Sequence, residues 1–182
     1  MGDELIDILD EKGNLTGKQK MKSEAHHDGS WHRSAHIWIY NSKGEILLQL
    51  RAKNKDVYPD MWDSSVAGHV SAGEEPVTSG VREIQEEVGL SVQENDLEFY
   101  KIEPEETRYK EITSNEFIYI YLLKYDGNAS TIKIQEEELQ EARFIPLEEI
   151  EEGLRSNPER YCPHTPEYWA EMFIAIRNKT KQ

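Results

Sequence analysis

Apolar β-formers fill Leu5-Ile6-Asp7-Ile8-Leu9 and stop at Asp10-Glu11-Lys12-Gly13-Asn14, which predicts a short strand and a turn. A polar, histidine-rich stretch then reads as a loop as far as His32. Apolar positions return over 34–40, break at Asn41-Ser42-Lys43-Gly44 and return again over 45–51, a pattern that predicts a β-hairpin with Ile37, Ile39, Ile46 and Leu48 inward. Residues 52–59 read as a polar loop and 62–70 as one strand ending in a turn at Ser71-Ala72-Gly73. Pro76 suits the first position of a helix, Glu74 and Glu75 favour its positive end and Gly89 stops it, so a helix is predicted over 76–88. Strands follow over 97–102, 112–123 and 142–145, then a helix over 147–154 opened by Pro146. A last helix over 166–177 carries Trp169, Met172, Phe173 and Ile176 on one stripe. With no internal repeat or long linker, residues 1–182 read as one domain of the α/β (α+β) class, a mixed sheet between helices.

Charge narrows what such a domain can bind. The net charge of −15 opposes a non-specific grip on nucleic acid or an anionic membrane, so a phosphate-bearing ligand has to be recruited locally, most simply through a cation. Cys162 is the sole cysteine, which excludes an internal disulfide and suits the cytosol. Met1-Gly2-Asp3-Glu4 is acidic where a leader would be basic, and Ile6 removes a myristoylation reading. No apolar run reaches the length of a membrane span, so the expectation is a soluble cytoplasmic protein, with a homodimer as the commonest assembly.

The helix over 76–88 changes the picture most. At about 100° per residue, Glu87 lies roughly 40° and Glu86 roughly 60° from Glu83, while Val77, Val81, Ile84 and Val88 gather on another side. Such an acidic face is ordinarily a solvated one, but clustered acids without interleaved lysines cost stability unless a cation collects them.

The wider frame is Gly68, five residues, Glu74, seven residues, then Arg82-Glu83-Ile84-Gln85-Glu86-Glu87-Val88-Gly89-Leu90. This resembles the Nudix box in full. The resemblance implies an α/β/α sandwich with a loop-helix-loop catalytic motif, and a magnesium-dependent hydrolase, with manganese as a substitute, acting on a small diphosphate, a nucleotide before other classes. It implies Glu86 and Glu87 as principal metal ligands and Glu83 as ligand or general base. The Gly68 carbonyl and Glu74 support the shell, Arg82 orients the carboxylates, and Glu116 is the candidate acid from outside the helix. Gly73 and Gly89 are expected to relieve turns, and Gly80 to allow close packing.

Outside the box, the segments His32–Asn41, Ile46–Lys53 and Trp62–His69 are similar to isopentenyl diphosphate isomerases and their Nudix relatives. The resemblance places His26 or His27, His32, His69 and Glu116 at positions matching a divalent-metal site, although solvated imidazoles are the plainer reading of the polar stretch. Isomerisation needs a cysteine just before the Gly-His pair, and Ala67 stands there, so hydrolysis is favoured. An isomerase-like enzyme and a non-catalytic nucleotide-binding domain are the competing readings. Arg51, Trp62 and His69 are expected at the substrate, His69 on phosphate and Trp62, with Tyr58 and Tyr109, stacking on a base, although aromatics at strand starts are more often core. Residues 161–166 either close over the site or anchor the last helix.

Overall fold

The computed structural model describes residues 3–181, so readings that rested on Met1-Gly2 lie outside the described residues. The order is β1 (Leu5–Leu9), β2 (Leu15–Met21), α1 (Lys22–Asp28), β3 (Trp31–Tyr40), β4 (Glu45–Arg51), β5 (Trp62–Asp63) and β6 (Val66–His69). It continues with α2 (Pro76–Val88), β7 (Glu98–Tyr109), β8 (Ile112–Lys124), β9 (Leu139–Pro146), α3 (Leu147–Ser156) and α4 (Pro166–Thr180). No helix of the described residues is long and apolar enough to cross a membrane.

Where a polar loop is expected after β1, the chain forms β2 and α1. β2 pairs antiparallel with β1, and α1 ends at Gly29 in the left-handed region (φ 69°). β2 has no core-facing row and α1 buries only Ala25, so neither leaves an apolar period to read.

The expected hairpin also opens. β3 and β4 pair only at Tyr40↔Ile46; β3 runs parallel to β8 along its whole length, and β4 runs antiparallel to β9. The predicted strand over 62–70 is broken at Ser64-Ser65, with β5 pairing with β4 and β6 with β3. Ser65 explains both departures. Its buried hydroxyl accepts from the Ile39 amide (2.7 Å) and donates to the Leu47 carbonyl (2.5 Å), standing where a ladder bond between β3 and β4 would run.

Because β3 is covered on both sides, its alternate residues feed two cores. Trp38 and Tyr40 join Ile46, Leu48 and Ile120 beneath α3 and α4, including Trp169, Met172, Phe173 and Ile176 of the predicted stripe. Ile37 and Ile39 join Leu47, Val66, Ile84 and Val88 beneath α2. The result is a mixed sheet between helices, as expected. Gly80 packs against Ile37 and Leu97, and Gly73 and Gly89 have positive φ at the two ends of the α2 motif.

Candidate active site

The α2 segment begins at Pro76 and is held at its start by Glu74, which accepts from the Ser79 hydroxyl (2.6 Å) and meets Arg82 at 3.5 Å. From this helix Glu83 and Glu87 turn inward and are buried, with Glu87 taking a hydrogen bond from the Ala67 amide. Glu86 does not join them: its side chain is 45% exposed and is met by Arg82 at 3.7 Å. Only positions four apart can point under β6, and the space there exists because residue 68 is glycine. A Cβ at Gly68 would fall inside the Glu83 carboxyl group.

Arg82 binds Glu83 Oε1 (2.7 Å) and also reaches the Ser71 hydroxyl and the His69 carbonyl. Glu83 Oε2 is buried with no hydrogen-bond partner among the described residues. Burial raises Glu83 to about 7 against the pull of Arg82, and raises Glu87 to about 8, with Glu83 adding repulsion. Two buried carboxyls, one with a bare oxygen, suit a hard divalent cation.

A second donor set lies next to it. His26 of α1, His32 of β3, His69 of β6 and Glu116 of β8 bring one donor atom each within 4.8 Å of one another. His32 Nδ1 donates to the Ser30 carbonyl (2.9 Å), which leaves its Nε2 turned to the cluster; that atom and His69 Nε2 are buried without a hydrogen-bond partner among the described residues and face Glu116 at 3.8 and 3.9 Å. Burial pushes His69 down and His26 down to about 4, so both present neutral nitrogen donors. Burial works to raise Glu116, but the facing imidazoles and the Ser114 hydroxyl (2.5 Å) hold it below the usual carboxylate range. The expected solvated imidazoles are thus corrected: His26 and His32 are built into the fold, while His27 is exposed. These donors fit a divalent metal, with the outer nitrogen of His32 fixed by a carbonyl and that of His69 facing Glu4 at 3.6 Å.

His26, His69 and Glu116 of the second set, and Ala67 and Gly68 in front of the first, line a cavity of about 460 Å³ together with Lys22, Arg51 and Lys55 among others. Arg51 and His69 are therefore where the sequence places them, though Arg51 also ties down the 52–59 loop through the Val57 (2.7 Å) and Tyr58 (3.1 Å) carbonyls. Trp62 is a correction. It is 4% exposed, packs in the α4 core under Arg143 and does not line the cavity, because β5 turns it inward against β4. Tyr58 does line the cavity, and its ring lies against Tyr109.

The far wall escaped the sequence reading. His164 Nε2 donates to Asp63 (2.9 Å) and Nδ1 to Glu105 (3.0 Å). Against the effect of burial, these carboxylates push His164 up to about 10, so it is an imidazolium. The segment carrying it pairs with β5, where the Cys162 amide donates to the Trp62 carbonyl (2.8 Å), so residues 161–166 both border the cavity and anchor α4. The Cys162 thiol also lines the cavity, but burial and neighbouring Asp63 push it well up, away from thiolate. No spacing in the chain joins Asp63, Glu105 and His164; only the sheet brings them together.

The box, the buried glutamates and the cavity meet what comparison with known proteins finds. A NUDIX domain model matches residues 30–165. The chain belongs to the Nudix family. It is 33% identical to Nudix hydrolase 3 of Arabidopsis thaliana over 98% of its own length, but spans only 24% of that relative. It is 32% identical to an uncharacterized Nudix hydrolase of Listeria monocytogenes, covering 96% of this chain and 95% of that one. An isopentenyl-diphosphate Delta-isomerase of Serratia proteamaculans is 28% identical over 87% of the chain and 86% of its own. The crystal structure of DR0079 from Deinococcus radiodurans shares the fold, with a TM-score of 0.67 at 17% identity over 96% of this chain and 98% of that one. As a Nudix hydrolase, the protein belongs to enzymes that act on pyrophosphate bonds in general.

Proposed function

We propose that this Nudix hydrolase cleaves the phosphoanhydride bond of a small diphosphate, a nucleotide before other classes, with magnesium, or manganese in its place. The observation that carries the reading is one cavity lined by the candidate ligands His26, His69 and Glu116 and by the cations Lys22, Arg51 and Lys55, with Glu83 packed against Gly68 of its wall. Glu83 and Glu87 would hold a cation with the Gly68 carbonyl, supported by Glu74, and Glu86 would join them only by turning in from its exposed position; Glu116 and the three histidines would hold another. A bound cation makes phosphorus more electrophilic and lowers the pKa of coordinated water. Arg82 fixes Glu83 through Oε1 and leaves Oε2 for one of two tasks, to bind the cation or to take the proton of the attacking water as general base. Arg51, Lys55 and His69 offer contacts to the phosphates.

Isomerisation of an allylic diphosphate is disfavoured by Ala67 on the cavity wall and by a Cys162 thiol that stays protonated. The test is release of phosphate or pyrophosphate from nucleotides, dinucleotide cofactors, nucleotide sugars and isoprenoid diphosphates, with magnesium, manganese or chelator. Metal-dependent release from one class is expected. Silence across the panel with ligand-induced thermal stabilisation would replace the hydrolase with a binding domain, and dimethylallyl diphosphate from isopentenyl diphosphate would restore the isomerase.

A further inference from the structure

Asp7 is an acid inside the apolar run of β1 and is no part of the Nudix box. What it touches is the loop that leads into α2. None of residues 71–75 is buried, so polar contacts rather than packing fix that loop. On one side it is tied to β1: Ile6 and Ser71 form a single antiparallel bridge, the Ala72 amide donates to the Leu5 carbonyl (2.8 Å) and the Gly73 amide to Asp7 Oδ2 (2.8 Å). Arg33 of β3 completes the tie, its Nη2 donating to Asp7 Oδ2 (3.2 Å) and to the Glu74 carbonyl (3.1 Å), while Gln19 of β2 donates to Asp7 Oδ1 (3.0 Å). On its other side the same loop supplies partners of Arg82, the Ser71 hydroxyl (3.2 Å) and the Glu74 carboxylate (3.5 Å), and Arg82 holds Glu83 Oε1 (2.7 Å). A continuous chain of contacts thus runs from the β1–β2 hairpin through the loop to a carboxylate of α2.

Resting on the reading of Glu83 as a metal-holding carboxylate, we infer that Asp7 and Arg33 are positioning residues of that site: they clamp the 71–75 loop to the β1–β2 hairpin, so that Arg82 stays on Glu83 Oε1 and Oε2 is left for the cation. Groups one step beyond the ligands orient them, and losing one commonly costs about 10- to 100-fold in metal affinity. The loop cannot hold this position unaided, since Gly73 sits at φ 79° and brings no stiffness of its own. Burial works to raise Asp7, but the Gly73 amide, Gln19 and Arg33 hold it below the usual carboxylate range, so it accepts these bonds as an anion. Arg33 is 8% exposed, and its two bonds reach the hairpin and the loop at once. An ion pair that only pinned the hairpin to the sheet would need neither the Gly73 amide nor the Glu74 carbonyl.

The experiment is Mn2+ binding to the full chain, followed by the electron paramagnetic resonance of the free ion, with melts in chelator alongside. Glu83→Gln marks the site in question by what it weakens, and His69→Ala marks the ion held by the histidines. Arg33→Met is expected to weaken the Glu83 site about tenfold or more while the histidine-held ion binds as in wild type, and Arg33→Lys, which keeps the charge and a donor, recovers part of the loss. Asp7→Asn keeps the volume and an acceptor and is expected to weaken the same site by a smaller factor, so the outcome does not depend on Arg33→Met folding. Wild-type affinity at the Glu83 site in either folded variant, whatever its melting temperature, overturns the inference and leaves the pair as a clasp on the hairpin. If Glu83→Gln itself leaves Mn2+ binding unchanged, the metal reading of Glu83 fails and takes the inference with it.

Discussion

Replacing His164 with alanine removes the cation between two carboxylates. Breaking a buried ion pair by deleting one partner costs about 3–5 kcal/mol, because the remaining charge stays desolvated. Here the lower end applies. Asp63 keeps the Ser64 amide (2.7 Å) and Arg51 (3.4 Å), and the partly exposed Glu105 regains water. A loss of about 3 kcal/mol corresponds to a fall in Tm of roughly 6–12 °C for a chain of this size. The pH dependence is a sharper signature. His164 is raised in the folded state to about 10, so its contribution is complete below the ordinary histidine value of about 6.5 and is lost as pH rises toward 10. Differential scanning calorimetry of wild type and His164→Ala should show a wide gap in Tm at pH 6 that narrows steadily to pH 10. A gap below about 1 kcal/mol, or one that does not change with pH, would refute a charged His164 held by Asp63 and Glu105.

Glu83→Gln and Glu87→Gln should each lower turnover by at least about a hundredfold while the metal-free protein melts no lower than wild type, because a buried carboxyl without full pairing does not stabilise the fold; steady-state kinetics and melts in chelator check both halves. Gly68→Ala drives a methyl into the Glu83 carboxyl and should cost about 1–3 kcal/mol together with most of the activity, read by denaturant unfolding and kinetics. Ser65→Ala leaves the buried Ile39 amide unpaired at about 1–3 kcal/mol, and hydrogen exchange should show that amide, and not those paired with β8, losing protection. His69→Ala should reduce the divalent metal retained after gel filtration, measured by elemental analysis, without loss of helical circular dichroism.

The helix α2 was readable to the residue because local chemistry marks its ends: proline cannot sit deeper than the first turn, and glycine at 89 takes the left-handed turn. The glutamates and Arg82 followed from the motif, but not which acids turn inward, since that depends on the missing side chain at Gly68 on another element. β2 and α1 were missed because they bury almost nothing, leaving no hydrophobic period. The opened hairpin was unreadable from its own residues because the hydroxyl that holds it apart comes from Ser65, on the far side of a loop. Trp62 looked like a stacking aromatic and is core, since its direction is set by pairing with β4. Asp63, Glu105 and His164 carry no joint sequence signal, being distant along the chain.

The cavity's lining reaches from Lys22 to His164. During synthesis, α2 and its β3 packing can form long before that last residue has left the ribosome, but the nascent chain has no closed binding site to offer. A ligand in the cell therefore meets either a finished protein or one that cannot yet hold it, and ligand binding can stabilise only chains whose C-terminal segment has already docked on β5.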